Sequence, residues 1–430
     1  MDKLLVYGPA RLSGSVEISS AKNSTLKLMA ASLLSRTPIL FKKIPKLRDL
    51  NTMRKLLTNL GAKIEDLNDE GDLRIDASQI SDTKAHYDIV KTMRASILVL
   101  GPLLTRFGEA SVSLPGGCAI GARPIDIHLK GLEALGAEIE LQEGYVTARA
   151  KRLVGANILL SFPSVGATEN ILMAAVFAKG ETVIENAARE PEIIDLVQFL
   201  VALFPELKIL GAGTSTIRIS GIERDSKPNH QLEYRAMGDR IEAATYLIAG
   251  MMTKSPSVTV NGIEAYTMTS VLEVLKSMGA IIEINENKKS ITLKYNNIIK
   301  GAIIDTAPFP GLPTDVQAQL MALMICADSS SVITEHIFEN RFMHVPEMQR
   351  MGAAITLRGN VATIQGGNKL KAAPVMCTDL RASAALVLCG LVAEGTTEVQ
   401  RIYHLDRGYE KLEEKLKILG AKLERIKSEN

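Results

Sequence analysis

Val271-Leu272-Glu273-Val274-Leu275-Lys276-Ser277-Met278-Gly279-Ala280-Ile281-Ile282-Glu283-Ile284 reads as the end of one element and the start of the next. Met268, Val271, Leu272 and Leu275 fall at i, i+3, i+4 and i+7, the spacing of an amphipathic helix. Gly279 stands where that helix would stop, because glycine takes the left-handed C′ conformation at little cost. The isoleucines that follow are β-branched and read as strand. The signature recurs at Leu60-Gly61-Ala62, Leu135-Gly136-Ala137, Met351-Gly352-Ala353 and Leu419-Gly420-Ala421. In chain order the five glycines lie 75, 143, 73 and 68 residues apart. The long gap holds two periods, and Phe204-Pro205-Glu206-Leu207-Lys208-Ile209 sits near its middle. Six copies are expected, the third with a degraded signature.

Each copy also carries an earlier helix of another kind. Leu26-Lys27-Leu28-Met29-Ala30-Ala31-Ser32-Leu33-Leu34, Ile97-Leu98-Val99-Leu100, Ile171-Leu172-Met173-Ala174-Ala175-Val176 and Ala384-Ala385-Leu386-Val387-Leu388 are apolar almost all round. A helix without a polar face is buried on every side. Units of this size cannot close a core alone and must stack. Six divide into three and three, so the expectation is two similar α/β domains with a cleft between them.

The bulk numbers narrow the function. A chain of 430 residues with 46% hydrophobic content is long enough for two cores. A net charge of +2, 4% aromatic residues and no Trp give no reason to expect a nucleic-acid partner. No apolar run is long enough for membrane insertion. The start, Met1-Asp2-Lys3-Leu4-Leu5-Val6-Tyr7, does not read as a signal peptide, so a cytoplasmic location is expected. Cys118, Cys326, Cys377 and Cys389 contain no CxxC pair, which argues against a disulfide framework or a zinc site. Cys326 and Cys389 lie in apolar runs and read as core. The six histidines show no ligand spacing, and His128, His344 and His404 read as structural. The stretch from Lys411 to Lys427 reads as an amphipathic outer helix with a solvated face.

Charges recur in register with the signature. Lys22, Arg240 and Arg381 each lie 39 residues before their glycine, and Arg94 lies 42 before. Arg48, Arg123 and Arg407 each lie 13 before. Both sets precede or open helices. Cations are disfavoured there on dipole grounds, so their repetition points to an anion site. Asp49, Asp126, Asp239, Asp315 and Asp379 gather at the same places, as helix caps or as partners of the cations. Asp315 follows Gly311-Leu312-Pro313-Thr314 and is either a cap or a general base. Gly117-Cys118-Ala119-Ile120-Gly121-Ala122-Arg123-Pro124 sets a thiol in a glycine-rich loop beside a permanent cation, the setting of a reactive cysteine.

Specific stretches then carry a resemblance. They are Ala21-Lys22-Asn23, Pro115 to Pro124, Ser164-Val165-Gly166-Ala167-Thr168-Glu169-Asn170, Asp239-Arg240-Ile241-Glu242, Pro313-Thr314-Asp315, Ile337 to His344 including Arg341, Asp379-Leu380-Arg381-Ala382-Ser383 and Asp406-Arg407-Gly408-Tyr409. Nearly end to end, the chain resembles the UDP-N-acetylglucosamine 1-carboxyvinyltransferase family of the EPSP synthase superfamily. The resemblance implies an inside-out α/β barrel of six βαβαββ repeats, three per domain, with domains at 22–238 and at 1–21 plus 239–430 and the active site in the cleft. It implies transfer of the enolpyruvyl group of phosphoenolpyruvate to the 3′-hydroxyl of UDP-N-acetylglucosamine with release of phosphate, the first committed step of peptidoglycan precursor synthesis.

By the same resemblance, Lys22, Arg123 and Arg407 hold phosphoenolpyruvate. Asn23, Arg94, Arg123, Pro124, Ile125, Asp126, Ile127, Ser164, Val165, Gly166, Asp315, Ile337, Arg341 and Arg381 line the substrates. Cys118 matches the loop cysteine that donates a proton and can form a covalent adduct, and Asp315 matches the base. No metal or organic cofactor is implied, and a fosfomycin-type epoxide is expected to react at Cys118. Ser24, Thr25, Lys27 and Ala244 depart from the family's usual residues, with tuning at most expected. The rival within the fold is 3-phosphoshikimate 1-carboxyvinyltransferase, which lacks the Pro-Gly-Gly-Cys loop. An RNA 3′-phosphate cyclase and a non-catalytic nucleotide-sugar-binding regulator fit the residues less well.

Overall fold

The computed structural model describes residues 2–91, 93–114 and 125–427. These fall into two units. One holds the residues up to Ser19 and from Gly238 onward, the other those from Ser20 to Met237. Among the described residues there are six four-stranded sheets, three in each unit. The third copy shows the pattern: strand Asn157–Leu159, helix Val165–Ala175, strand Glu181–Glu185, helix Pro191–Leu203, then the strands Lys208–Leu210 and Thr216–Ser220. The first two strands pair in parallel, and the hairpin adds antiparallel through Thr216–Ser220. The other five sheets repeat these directions.

Three sheets are completed by strands distant in the chain. Gly14–Glu17 pairs in parallel with Val258–Asn261, and Lys3–Gly8 lies between Gly395–Gln400 and Lys422–Ile426. These pairings fasten the residues up to Ser19 to the unit that resumes at Gly238. In the other unit Glu233–Tyr234 pairs with Ile39–Phe41, so its last strand finishes its first sheet.

The two kinds of helix follow the sequence patterns. Every residue of Arg240–Met252 and of Gln317–Ile325 is buried. Outer helices bury one stripe: Arg48–Asn59 covers Leu50, Met53, Leu56 and Leu57, and Thr269–Ser277 covers Val271, Leu272 and Leu275. The signature glycines all take positive φ, +108° at Gly61, +91° at Gly136, +108° at Gly279, +100° at Gly352 and +101° at Gly420. In the third copy the Pro191–Leu203 helix runs into Phe204 in extended conformation (φ −125°, ψ 91°). Pro205 has no amide to donate to a closing turn, so no left-handed residue is required there.

Three local readings change. The inner helix of the second copy begins as a 3-10 turn, Arg94–Val99, before the α-helix Leu100–Phe107. The Lys411 to Lys427 stretch is not one helix: helix Leu412–Ile418 stops before Gly420, and Lys422–Ile426 is a strand. Cys389 is buried, whereas Cys326 at the end of its helix is partly exposed. No helix among the described residues is long and apolar enough to cross a membrane.

Gly279 tests the helix-stop reading. A Cβ there would lie 2.9 Å from Ile298 Cγ2 on a backbone at φ +108°. Gly279→Val is expected to lower unfolding free energy by about 1–3 kcal/mol in denaturant titration. Unchanged stability would contradict the assignment.

Candidate functional site

In the Ser20–Met237 unit the candidate residues collect at helix beginnings. Lys22 is the first residue of Lys22–Ala31 and is followed by Asn23. Arg94 opens its 3-10 turn, and Ile125, Asp126 and Ile127 form the entry to Asp126–Ala134. Ser164 caps Val165–Ala175, its Oγ accepting from the Ala167 amide at 3.3 Å. The first N–H groups of a helix have no partner within it, and Val165 and Gly166 stand at that place. The macrodipole opposes a cation at the Lys22 position. Asp49 answers it, with its Oδ2 2.8 Å from Lys22 Nζ and both side chains almost buried.

Two of the positions that depart from the family's usual residues, Ser24 and Lys27, are buried ties. Lys27 Nζ lies 2.5 Å from Glu169 Oε1 on the Val165–Ala175 helix. Ser24 donates to Asp195 of the Pro191–Leu203 helix. Asp195 also accepts from the Tyr234 hydroxyl at 2.8 Å and the Met237 amide at 3.2 Å. The helix bearing Lys22 and Asn23 is thereby fixed to two neighbours. Burial pushes the Glu169 carboxyl up to about 8, with the Lys27 charge acting against the rise.

In the other unit Asp315 joins two cations. Arg341 Nη2 donates to its Oδ1 at 2.7 Å and Arg381 Nη2 to its Oδ2 at 3.2 Å. The arginine side chains are 4% and 3% exposed, whereas that of Asp315 is 27% exposed. Burial works against the Arg381 charge, but Asp315, Tyr409 and Asp239 outweigh it and hold its pKa above the ordinary arginine value. Asp315 sits in the 3-10 turn Thr314–Val316, and no side-chain cap is formed there. Capping falls instead to Asp239, which accepts from the Ile241 and Glu242 amides, and to Asp379, which accepts from Arg381 and Ala382.

Arg407 ends the 3-10 turn Ile402–Arg407 and does not open the outer helix, which starts at Leu412. It is fastened on both sides. Arg425 grips Asp406 with two hydrogen bonds, 3.0 and 2.7 Å. The Tyr409 hydroxyl lies 2.9 Å from Thr245 Oγ1 and accepts from Gln319 Nε2 at 3.1 Å. Cys118, Arg123 and Pro124 lie outside the described residues.

Sequence reasoning missed Glu335. This buried carboxylate accepts from the Ile337 amide (2.8 Å), the Phe338 amide (3.2 Å), Thr306 Oγ1 (2.8 Å) and Thr314 Oγ1 (2.9 Å). It ties Ile337 to the turn that carries Asp315. A lone Glu just past a strand gives no signal of this in the sequence.

A likeness to known proteins runs over the whole chain. Residues 6–416 match the family described as EPSP synthase (3-phosphoshikimate 1-carboxyvinyltransferase). The chain belongs to this EPSP synthase family of α/β proteins. It is 52% identical over 430 residues to the UDP-N-acetylglucosamine 1-carboxyvinyltransferase of Enterobacter cloacae subsp. cloacae, covering 100% of each chain. To the protein of the same name from Geotalea uraniireducens it is 51% identical over 426 residues, covering 99% of this chain and 100% of that one. Among solved structures, the enolpyruvyl transferase NikO from Streptomyces tendae aligns with a TM-score of 0.88 at 24% identity, over 99% of this chain and 98% of that one. EPSP synthase from Acinetobacter baumannii aligns at 0.75 and 17% identity, over 99% and 100%. At those identities the two structures speak for the fold alone.

The Glu169 environment has a pH consequence. The folded chain keeps that proton up to about 8, against an ordinary carboxyl value of 4.5. The folded state therefore binds more protons in this window, and stability falls as pH rises through it. Glu169→Gln is expected to flatten the dependence of unfolding free energy on pH between those two values. A slope equal to that of the unaltered protein would contradict the buried-proton account.

Proposed function

We propose that the protein transfers the enolpyruvyl group of phosphoenolpyruvate to the 3′-hydroxyl of UDP-N-acetylglucosamine, releasing phosphate. The observation that carries this reading is end-to-end identity of about half the residues to relatives that bear that activity in their names. The buried arginines on Asp315 support it further, because both substrates are anions and the transition state gathers charge. 3-Phosphoshikimate as acceptor is the weaker reading, since the more similar relatives are named for the nucleotide sugar.

In this reading Lys22, Arg123 and Arg407 hold the phosphate and carboxylate of phosphoenolpyruvate. Asn23, Arg94, the segment from Arg123 to Ile127, Ser164, Val165, Gly166 and Ile337 hold the nucleotide sugar. Cys118 gives a proton to C3 of the enol, which leaves C2 electrophilic. The 3′-hydroxyl adds at C2 while its proton passes to Asp315. A tetrahedral ketal-phosphate results, and Arg341 and Arg381 supply preorganised positive charge near the base. The Cys118 thiolate then takes back a proton from C3 as the C2–phosphate bond breaks, the departing phosphate takes the proton held on Asp315, and the double bond is restored, now on the sugar ether. Every atom is accounted for by the two substrates. The cytoplasm is the place of action in this reading.

Phosphate release that requires UDP-N-acetylglucosamine and ignores shikimate 3-phosphate is the expected result of a coupled assay. The reverse preference would sink the reading. A fosfomycin-type epoxide is expected to add to Cys118, seen as a mass increment on the peptide containing it. Labelling at Cys326 instead would count against the assignment. Arg407→Ala is expected to raise KM for phosphoenolpyruvate far more than KM for the nucleotide sugar. An equal rise for both would contradict the division of roles.

A further inference from the structure

Glu335 follows the strand Ser331–Thr334 and is 3% exposed. Its two carboxylate oxygens serve different segments. Oε1 accepts from the Ile337 and Phe338 amides and from Thr306 Oγ1. Oε2 accepts from Thr314 Oγ1 at 2.9 Å. Among the described residues all these donors are uncharged, so directed hydrogen bonds hold the group in place of a counter-ion. The backbone is fixed as well. The Glu335 amide donates to the Asn360 carbonyl at 2.9 Å, and Asn360 Nδ2 donates to the Glu335 carbonyl at 3.0 Å. A buried residue anchored at main chain and side chain leaves each oxygen one place to be.

Thr306 completes one half of this frame. It is fully buried, and its hydroxyl accepts from the His336 amide at 2.9 Å while donating to Oε1. The successive amides of His336, Ile337 and Phe338 thus end on Thr306 and Glu335. On the other half, Thr314 stands one residue before Asp315 in the 3-10 turn Thr314–Val316. The Ile337 segment returns to that turn a second time, because Arg341 Nη2 donates to Asp315 Oδ1 at 2.7 Å and to the Thr314 carbonyl at 3.4 Å. The Asp315 side chain is 27% exposed, so its aim depends on its two arginines and on the turn that carries it.

We propose that Glu335 is a positioning residue for the reaction: Oε1 sets the segment bearing Ile337, where the acceptor sugar binds, and Oε2 sets the turn bearing Asp315, the base. This rests on the proposed function and adds to it a residue that acts only through these two. A hydroxyl proton passes to a base only within hydrogen-bond reach, so a displaced turn slows the transfer without loosening either substrate. A displaced Ile337 segment does the opposite, loosening the acceptor while the base stays in place.

Substitutions at the two threonines cut the two halves separately. Valine matches threonine in shape and lacks the hydroxyl, whereas serine keeps it. Steady-state phosphate release is measured on the full chain with phosphoenolpyruvate and UDP-N-acetylglucosamine. Thr314→Val is expected to lower kcat by about tenfold with both KM values within about twofold, and Thr314→Ser to recover most of the loss. Thr306→Val is expected to raise KM for UDP-N-acetylglucosamine by about fivefold or more, with kcat and KM for phosphoenolpyruvate within about twofold. An unaltered kcat in Thr314→Val overturns the inference. So does a loss in Thr314→Ser as large as in Thr314→Val, or the same change of kcat and KM in both valine variants, since either marks packing alone. Thr314 is only half-buried, so its valine variant decides the matter even where Thr306→Val does not fold. If the unaltered protein releases no phosphate with UDP-N-acetylglucosamine, the proposed function falls and this inference with it. If it turns over and Thr314→Val matches it, this inference alone falls.

Discussion

A helix that is apolar on every side can exist only when it is surrounded, and this constraint organises both units. Arg240–Met252 and Gln317–Ile325 have no solvent-facing residue at all. A polar group along such a helix would need its own buried partner. The tips are different, because the first amides of a helix must find partners outside it in any case. Polar chemistry is therefore displaced to the helix starts. The repeat then multiplies the effect: Arg381, at the start of one inner helix, meets Asp315, at the start of another, and feels Asp239, which caps a third. The stacking that buries the helices also assembles the charges.

Three polar residues deep in inner helices show how such a partner is supplied. Lys27 has Glu169, Ser24 has Asp195, and Asn170 has Gly101, Ile97 and His128. Breaking a buried pair is costly because the remaining charge is stranded, so such pairs fix relative placement more surely than they add stability. The Lys22-bearing helix is held from two sides in this way.

The repeat, the two kinds of helix and the glycine stops could be read from sequence because each depends on residues within a few turns of one another. The degraded third signature was legible as an absence, and Phe204-Pro205 explains it with backbone conformation alone. Contacts between distant parts of the chain were not legible. Nothing in Lys3–Gly8 says that it will lie between Gly395–Gln400 and Lys422–Ile426. Ser24 meets a carboxylate 171 residues away, so it could be seen only as a departure from pattern. The regular spacing of Arg407 suggested a helix start. Arg401 and Lys411, both at left-handed φ, bracket a separate turn that spacing cannot reveal. Asp315 could be read from sequence as cap or base, because both roles place an acid after a Gly/Pro turn, and its two arginine partners lie 26 and 66 residues away.

Among the described residues the chain passes directly between the units at Ser19–Ser20 and at Met237–Gly238. Each passage is secured from inside its own unit by a buried carboxylate. Asp195 accepts from the Met237 amide, and Glu242 accepts from the Ser19 amide at 2.7 Å. Glu242 is matched in turn by Lys415 at 2.6 Å, and burial raises its carboxyl to about 7 in spite of that cation. Asp195 is matched by hydroxyls, and burial raises its pKa as well. A buried acceptor holds an amide firmly, because water is not there to replace it. The two residues nearest the passages are thus anchored by groups that belong to the units.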